Sequence, residues 1–175
     1  MESGRDAMDN FQAKLKPNEA VRLRDVEAED LPIFFRHQDC PTANEMAGVA
    51  ARSWPNFQQH WRENVLNQEG VLVKTILEGS AVAGNVVSFE GNGKRLIGYW
   101  LGEEFWGRNI ASQAVFQFLP LVKERPVFAY VAKHNLASLR ILKKSGFQIL
   151  DESVIPGTEG TSPIEEYLLI LTASS

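Results

Sequence analysis

Two short segments hold the residues best suited to chemistry. The first reads Trp106-Gly107-Arg108-Asn109-Ile110-Ala111-Ser112-Gln113-Ala114. It follows a run, 95–101, with the character of a strand. Beyond it Ile110, Ala111, Ala114, Val115, Phe118, Leu119 and Val122 recur at three- and four-residue steps, the pattern of a helix face. The segment is therefore a strand, a short loop and a helix start. A helix N-terminus offers unpaired backbone N–H groups and about half a positive charge. A loop curling into it can cradle a phosphate or pyrophosphate. Gly107 lets a ligand approach the backbone, and Asn109 tolerates left-handed geometry. Ala111 and Ser112 keep the surface low, and Arg108 adds positive charge. A tight strand-to-helix turn without a ligand has the same spacing, so on residues alone both readings stand.

The second segment, about 28 residues further on, reads Asn135-Leu136-Ala137-Ser138 and ends Lys143-Lys144-Ser145-Gly146-Phe147. Asn135 suits an N-cap, the two lysines complement the negative helix end, and Gly146 suits the left-handed residue that closes a helix. His134, just before the cap, is a candidate base by residue type. Tyr99 is a packed strand aromatic or a cleft residue. Glu103 and Glu104 are solvated charges or a lure for a cationic amine. Glu90, at the tip of the 90–94 turn, lies about 20 Å from Trp106 at ~3.4 Å per strand residue, too far to serve as a base. His37 and Cys40 stand three apart, but Cys40 is the only cysteine, so a closed zinc site lacks ligands and no metal is expected.

These residues need a scaffold. Residues 21–24 read as a strand, 27–36 as a short amphipathic helix and 56–66 as a helix, with 38–53 ambiguous. A three-strand meander follows over 71–77, 81–89 and 95–101, its second turn Glu90-Gly91-Asn92-Gly93-Lys94. The helix from Ile110 should kink or end near 116–119 because Pro120 removes a donor. A strand at 127–131, the helix 135–145, a strand at 147–151, a Gly/Pro/Thr-rich loop and a closing strand at 166–171 complete the chain. A meander followed by β-α-β implies an α/β (α+β) domain with a mixed sheet and helices on both faces. We expect a tail or lead-in over 1–19 and one domain over 20–173.

The first segment resembles the acyl-CoA pyrophosphate loop of the GNAT acetyltransferases, above all the branch of ribosomal-protein N-terminal acetyltransferases (RimJ/RimL-like). That branch shows Trp-Gly-x-Gly-x-Ala-Thr/Ser-Glu-Ala after a strand; here Asn109 replaces the second glycine and Gln113 the glutamate. The second segment resembles the family's Asn-x-x-Ser…Gly-Phe helix. The resemblance spans roughly 20–171. It implies the GNAT fold: a mostly antiparallel sheet of six or seven strands flanked by about four helices. It implies acetyl-CoA as co-substrate, held by backbone groups near Trp100 and Leu101 and by the Trp106–Ser112 loop, with Asn135 and Ser138 near the pantetheine. The acceptor would be a primary amine, on a small molecule or a protein N-terminus; Trp54 and Trp61 belong to the region that walls its site in the family, or simply pack in the core. Where some members carry a tyrosine that protonates the leaving thiolate, this chain has Leu142; Ser138 or water would substitute. A non-catalytic acyl-CoA-binding or regulatory domain of the same fold is the alternative.

Composition narrows the setting. Of 175 residues 44% are hydrophobic and 10% aromatic, enough for a real core and unlike a disordered chain. A formal net charge of -4 does not favour a nucleic-acid partner. No apolar run reaches the ~18 residues of a membrane span. A cytoplasmic monomer or homodimer is the expectation.

Overall fold

In the computed structural model the described residues are 20–157 and 160–172. The expected lead-in over 1–19 lies outside them. Seven strands form one sheet in the order β1-β2-β3-β4-β5-β7-β6. They are β1 Val21–Arg24, β2 Leu72–Glu78, β3 Ala81–Gly91, β4 Lys94–Leu101, β5 Val127–Ala132, β6 Gln148–Ile155 and β7 Ile164–Leu171. Every pairing is antiparallel except β4 with β5. Five α-helices flank the sheet: α1 Asp30–Gln38, α2 Pro41–Ala47, α3 Trp54–His60, α4 Ile110–Phe118 and α5 Leu136–Lys144.

Local rules explain most boundaries. Asn92 and Gly93 both take positive φ (51° and 69°), the two-residue turn that matches strand twist. α4 stops at Phe118 and continues as a 3-10 turn, Leu119–Leu121, around Pro120. The Asn135 side chain accepts the Ser138 N–H at 3.1 Å, and Gly146 closes α5 with φ 94°. α2 occupies the stretch whose pattern was ambiguous. It has only seven residues and one buried side chain, so no apolar period announces it; Pro41 at its first turn and Gly48 (φ 70°) after its end mark it instead. α3 runs on as a π-helical segment, Trp61–Leu66.

The two sheet faces are packed by different helices. On one, Ile110, Ala114, Val115 and Phe118 of α4 and Leu142 of α5 meet Ile76, Val86, Val127 and Leu169. On the other, Phe34 and Phe57 are fully buried against Trp61, with Val73 and Val82 of the sheet beside them. Each such phenyl ring contributes about 1.5–3 kcal/mol by leaving water. α1 is also pinned at its start. The buried Asp30 carboxylate accepts two Arg24 N–H bonds at 2.6 and 2.8 Å, the Glu27 N–H at 2.9 Å and the Thr75 hydroxyl at 2.7 Å. That network joins α1 to β1 and β2, and it sets where the far end of α1, at His37, falls.

Candidate active site

The site begins with an interrupted ladder. β4 and β5 pair only at Arg95 with Val127 and Leu96 with Phe128. Past that point they diverge, and the cleft opens between them. The Gly102 N–H bonds to the Ala83 carbonyl in β3. Backbone groups alternate sides along an antiparallel strand, so those of Leu101 and Tyr99 aim the other way, into the splay. Side chains alternate too: Tyr99 reaches toward α5, where its hydroxyl lies 3.5 Å from the Ser138 carbonyl, while Trp100 reaches toward α1 and donates its indole N–H to the His37 carbonyl at 3.0 Å.

Beyond β4 the chain makes a 3-10 turn, Glu103–Phe105, and then the loop read from sequence. The Trp106 indole N–H folds back onto the Leu101 carbonyl at 3.2 Å. Gly107 and Asn109 both have positive φ, 70° and 61°. The asparagine therefore adopts the conformation that a second glycine would supply in the related motif, as its short polar side chain permits. A Cβ on Gly107 would meet nothing within 4 Å, so the backbone there faces open space. α4 then starts at Ile110, and the N–H groups of Ile110, Ala111 and Ser112 fall in its first turn, where no helical acceptor exists.

The cleft has a volume of about 420 Å³. Trp100, Leu101, Trp106 and Gly107 line it from the β4 side, Asn109, Ile110, Ala111 and Ser112 from α4, and Asn135 and Ser138 from α5. The two motifs, far apart in sequence, thus share one cavity. Two expected residues stand outside its lining. Arg108 turns away and pairs with the buried Glu78 carboxylate at 2.5 Å, so its charge is already matched. His134 is exposed, and its Nε2 lies 2.9 Å from the Glu45 carbonyl in α2. A carbonyl only accepts, so that nitrogen carries the hydrogen.

The lining also holds residues that the motifs did not reveal: Ala43, Met46 and Ala47 of α2, with Arg140 and Ile141 of α5. Small residues on α2 facing the cleft carry no sequence signal. Tyr99 lines it as well, and burial pushes its phenol up to about 12, so it keeps its proton at neutral pH. Leu142 is buried in the core, 1% exposed. Trp54 and Trp61 pack with Phe57 in the aromatic cluster beneath α1. Among the described residues no group of three His, Cys, Asp or Glu is placed to hold a metal ion, and no helix is long and apolar enough to cross a membrane.

These features fit a pantetheine-linked pyrophosphate. The donors at the loop are backbone N–H groups at a positive helix end, the approach over Gly107 is open, and past Leu96 the cleft side of β4 has no strand partner.

Comparison with known proteins agrees. The model of the acetyltransferase (GNAT) domain family matches residues 20–148. A spermidine N-acetyltransferase from Vibrio cholerae, solved with CoA and spermine, superimposes with a TM-score of 0.76 at 12% identity, over 87% of this chain and 95% of that one. The aminoglycoside acetyltransferase AAC(6')-Ib, solved with coenzyme A, gives 0.70 at 19% identity, over 87% and 95%. No curated protein sequence matches. The fold expectation holds: a mostly antiparallel sheet of seven strands, flanked among the described residues by five α-helices where about four are expected. From the family match and the cleft together, the chain belongs to the GNAT acetyltransferase family.

Proposed function

We propose that the protein is an acetyl-CoA-dependent N-acetyltransferase acting on a primary amine, of a small molecule or a protein N-terminus, within the RimJ/RimL-like branch. The observation that carries the reading is the convergence of the Trp106–Ser112 loop and the Asn135–Ser138 helix start on the β4/β5 cleft. Open space over the Gly107 backbone and the left-handed backbone of Asn109, in the place of a second glycine, support it. The single cysteine is in keeping with a reducing, cytoplasmic setting.

Bound acetyl-CoA supplies an acetyl group already activated as a thioester. The chain's own residues do the rest. The first-turn N–H groups of α4 receive the pyrophosphate charge. The Tyr99 backbone and the Leu101 N–H hold the pantetheine in the place of a missing strand neighbour, the Leu101 carbonyl being taken by Trp106. Asn135 fixes the start of α5, and so sets Ser138 at the cleft wall. The Ser138 hydroxyl, with the protonated Tyr99 phenol opposite, is the proton donor available to a departing thiolate. Positioning of this kind accounts for much of the rate in a reaction between two bound partners.

One observation favours a second reading, that of an acyl-CoA-binding domain without turnover: Leu142, buried where some relatives place a tyrosine acid. A thermal melt followed by an amine panel separates the two. Ligand at 100 times its Kd adds about 2.7 kcal/mol. At roughly 2–4 °C per kcal/mol, acetyl-CoA and CoA should each raise Tm by about 5–10 °C, and ATP should not. A shift without turnover of any amine supports the binding domain. No shift at millimolar ligand refutes both.

A further inference from the structure

Behind the cleft wall, at the last turn of α1, His37 is 4% exposed and neither ring nitrogen has a hydrogen-bond partner. A buried imidazole without partners is costly unless something outside the protein completes it. Its surroundings point to the cleft. The Phe105 ring, part of the lining, packs edge-on against it at 6.1 Å. Trp100, also lining, donates to its backbone carbonyl. Gly102, the residue after β4 ends, has no side chain to spare: a Cβ there would lie 2.6 Å from His37 Nε2 and 2.7 Å from a Glu104 oxygen. The glycine is what lets the imidazole and the carboxylate meet at the end of the strand. His37 Nε2 stands 3.7 Å from Glu104 Oε1, near enough for charge attraction and too far for a hydrogen bond. Asn85, opposite Trp100 in the β3/β4 ladder and so on the same face, also has a buried amide N–H group without a partner.

We propose that His37 and Glu104 form the proton-accepting pair for the acceptor amine, which reaches the cleft from the α1 side. The inference rests on the acetyltransferase reading above. Glu104, 60% exposed, draws the ammonium group to the mouth. The neutral His37 imidazole, whose nitrogens lie behind the lining, takes one proton from it through an intervening water and leaves a lone pair on the nitrogen for attack on the thioester carbonyl. Glu104 balances the imidazolium, which returns its proton to solvent. The second amine proton goes to the departing sulfur, so each turnover releases one proton overall. Burial lowers the proton affinity of His37, the Glu104 charge raises it and Arg36 lowers it, with a net fall below the ordinary histidine value. Glu103, the other carboxylate on that turn, is held by the Cys40 thiol at 3.3 Å, and the Tyr99 phenol of β4 points to the opposite face, toward α5. The imidazole is therefore neutral, in its accepting form, at pH 7.

The pH profile of kcat/KM for the best amine in the panel, and an NMR titration of the His37 ring, test the pair. His37→Gln should lower kcat/KM by about 10²-fold and flatten the acid limb of the profile, while the CoA-induced rise in Tm stays as in wild type. Glu104→Gln, at an exposed position that folding does not need, should move the His37 midpoint to lower pH. An acid limb that survives His37→Gln in an active wild-type background overturns the inference and leaves the acetyltransferase reading intact. So does a His37 midpoint that Glu104→Gln does not move. A wild-type protein that acetylates no amine overturns both.

Discussion

The Arg108 guanidinium leaves the cleft and meets the Glu78 carboxylate at 2.5 Å, tying the loop that opens α4 to the last residue of β2. Glu78 is 4% exposed, so the pair anchors the loop from beneath instead of meeting ligand charge from above. Binding must then come from the backbone, and Arg108 acts by holding Gly107 and Asn109 in place. Arg108→Ala strands a buried carboxylate. Allowing for the partial exposure of Arg108, the loss is about 2 kcal/mol, a fall in Tm of roughly 4–8 °C. Glu78→Gln in the same chain should recover most of that, since an amide leaves no charge unmatched. Melts of the two single variants and the double variant check it.

At Asn109 the left-handed backbone predicts an ordered series. Asn109→Gly should match or exceed wild-type stability, and Asn109→Ala should lose about 1 kcal/mol, because a Cβ without a local hydrogen-bonding group is strained at positive φ. Gly107→Trp places a bulky side chain where the structure has open space. At φ 70° the new side chain should cost about 1–2 kcal/mol in backbone strain, leave the fold intact by circular dichroism and abolish the CoA-dependent rise in Tm. An undiminished rise would move the pyrophosphate away from this loop.

The Asn135 cap, the Gly146 closure, the stop at Pro120 and the Asn92-Gly93 turn depend on residues within a few positions of each other, so local chemistry fixed them. The residue pattern marks the strand after α5 only to Asp151, whereas it runs to Ile155, because all eight of its residues are exposed on the sheet edge and no buried alternation marks its length. The Arg108–Glu78 pair spans 30 positions, and nothing local distinguishes that arginine from a ligand-binding one. His37 was legible only as half of a metal spacing; its relation to Glu104 needs β4 to end at a glycine beside the last turn of α1.

The hydroxyls at the cleft wall give a further test. Ser138→Ala and Tyr99→Phe each remove one proton donor with little volume change. If Ser138 protonates the leaving sulfur, Ser138→Ala should lower kcat by about tenfold or more with KM for acetyl-CoA nearly unchanged. Tyr99→Phe loses only a long contact, 3.5 Å, to a carbonyl, so its effect on stability should stay below about 1 kcal/mol. His134→Ala breaks the link to Glu45 and should leave the pH profile unaltered, which separates this exposed histidine from His37. Steady-state kinetics on the three variants decides among them.

Acid should destabilise the protein in two stages. Burial, with Arg36 opposing Glu104 at one and Arg52 adding at the other, holds His37 and His60 below the ordinary histidine value. The unfolded chain binds those protons near pH 6.5 while the folded one resists, so stability starts to fall as pH drops below about 6.5. The second stage belongs to Asp30. Burial alone would raise its carboxyl, but the bonds from Arg24, the Glu27 N–H and Thr75 outweigh burial and hold it below the ordinary carboxylate value. Its contribution is complete above about pH 4 and is lost as pH falls toward the folded-state value. Asp30→Asn should remove this second slope. It should also cost about 2–4 kcal/mol at pH 7, because the amide cannot match Arg24 in charge and leaves one of four donors short of an acceptor. Urea unfolding of both proteins between pH 3 and 8 reads the two slopes separately, and an unchanged low-pH slope in Asp30→Asn would assign that stage to other carboxylates.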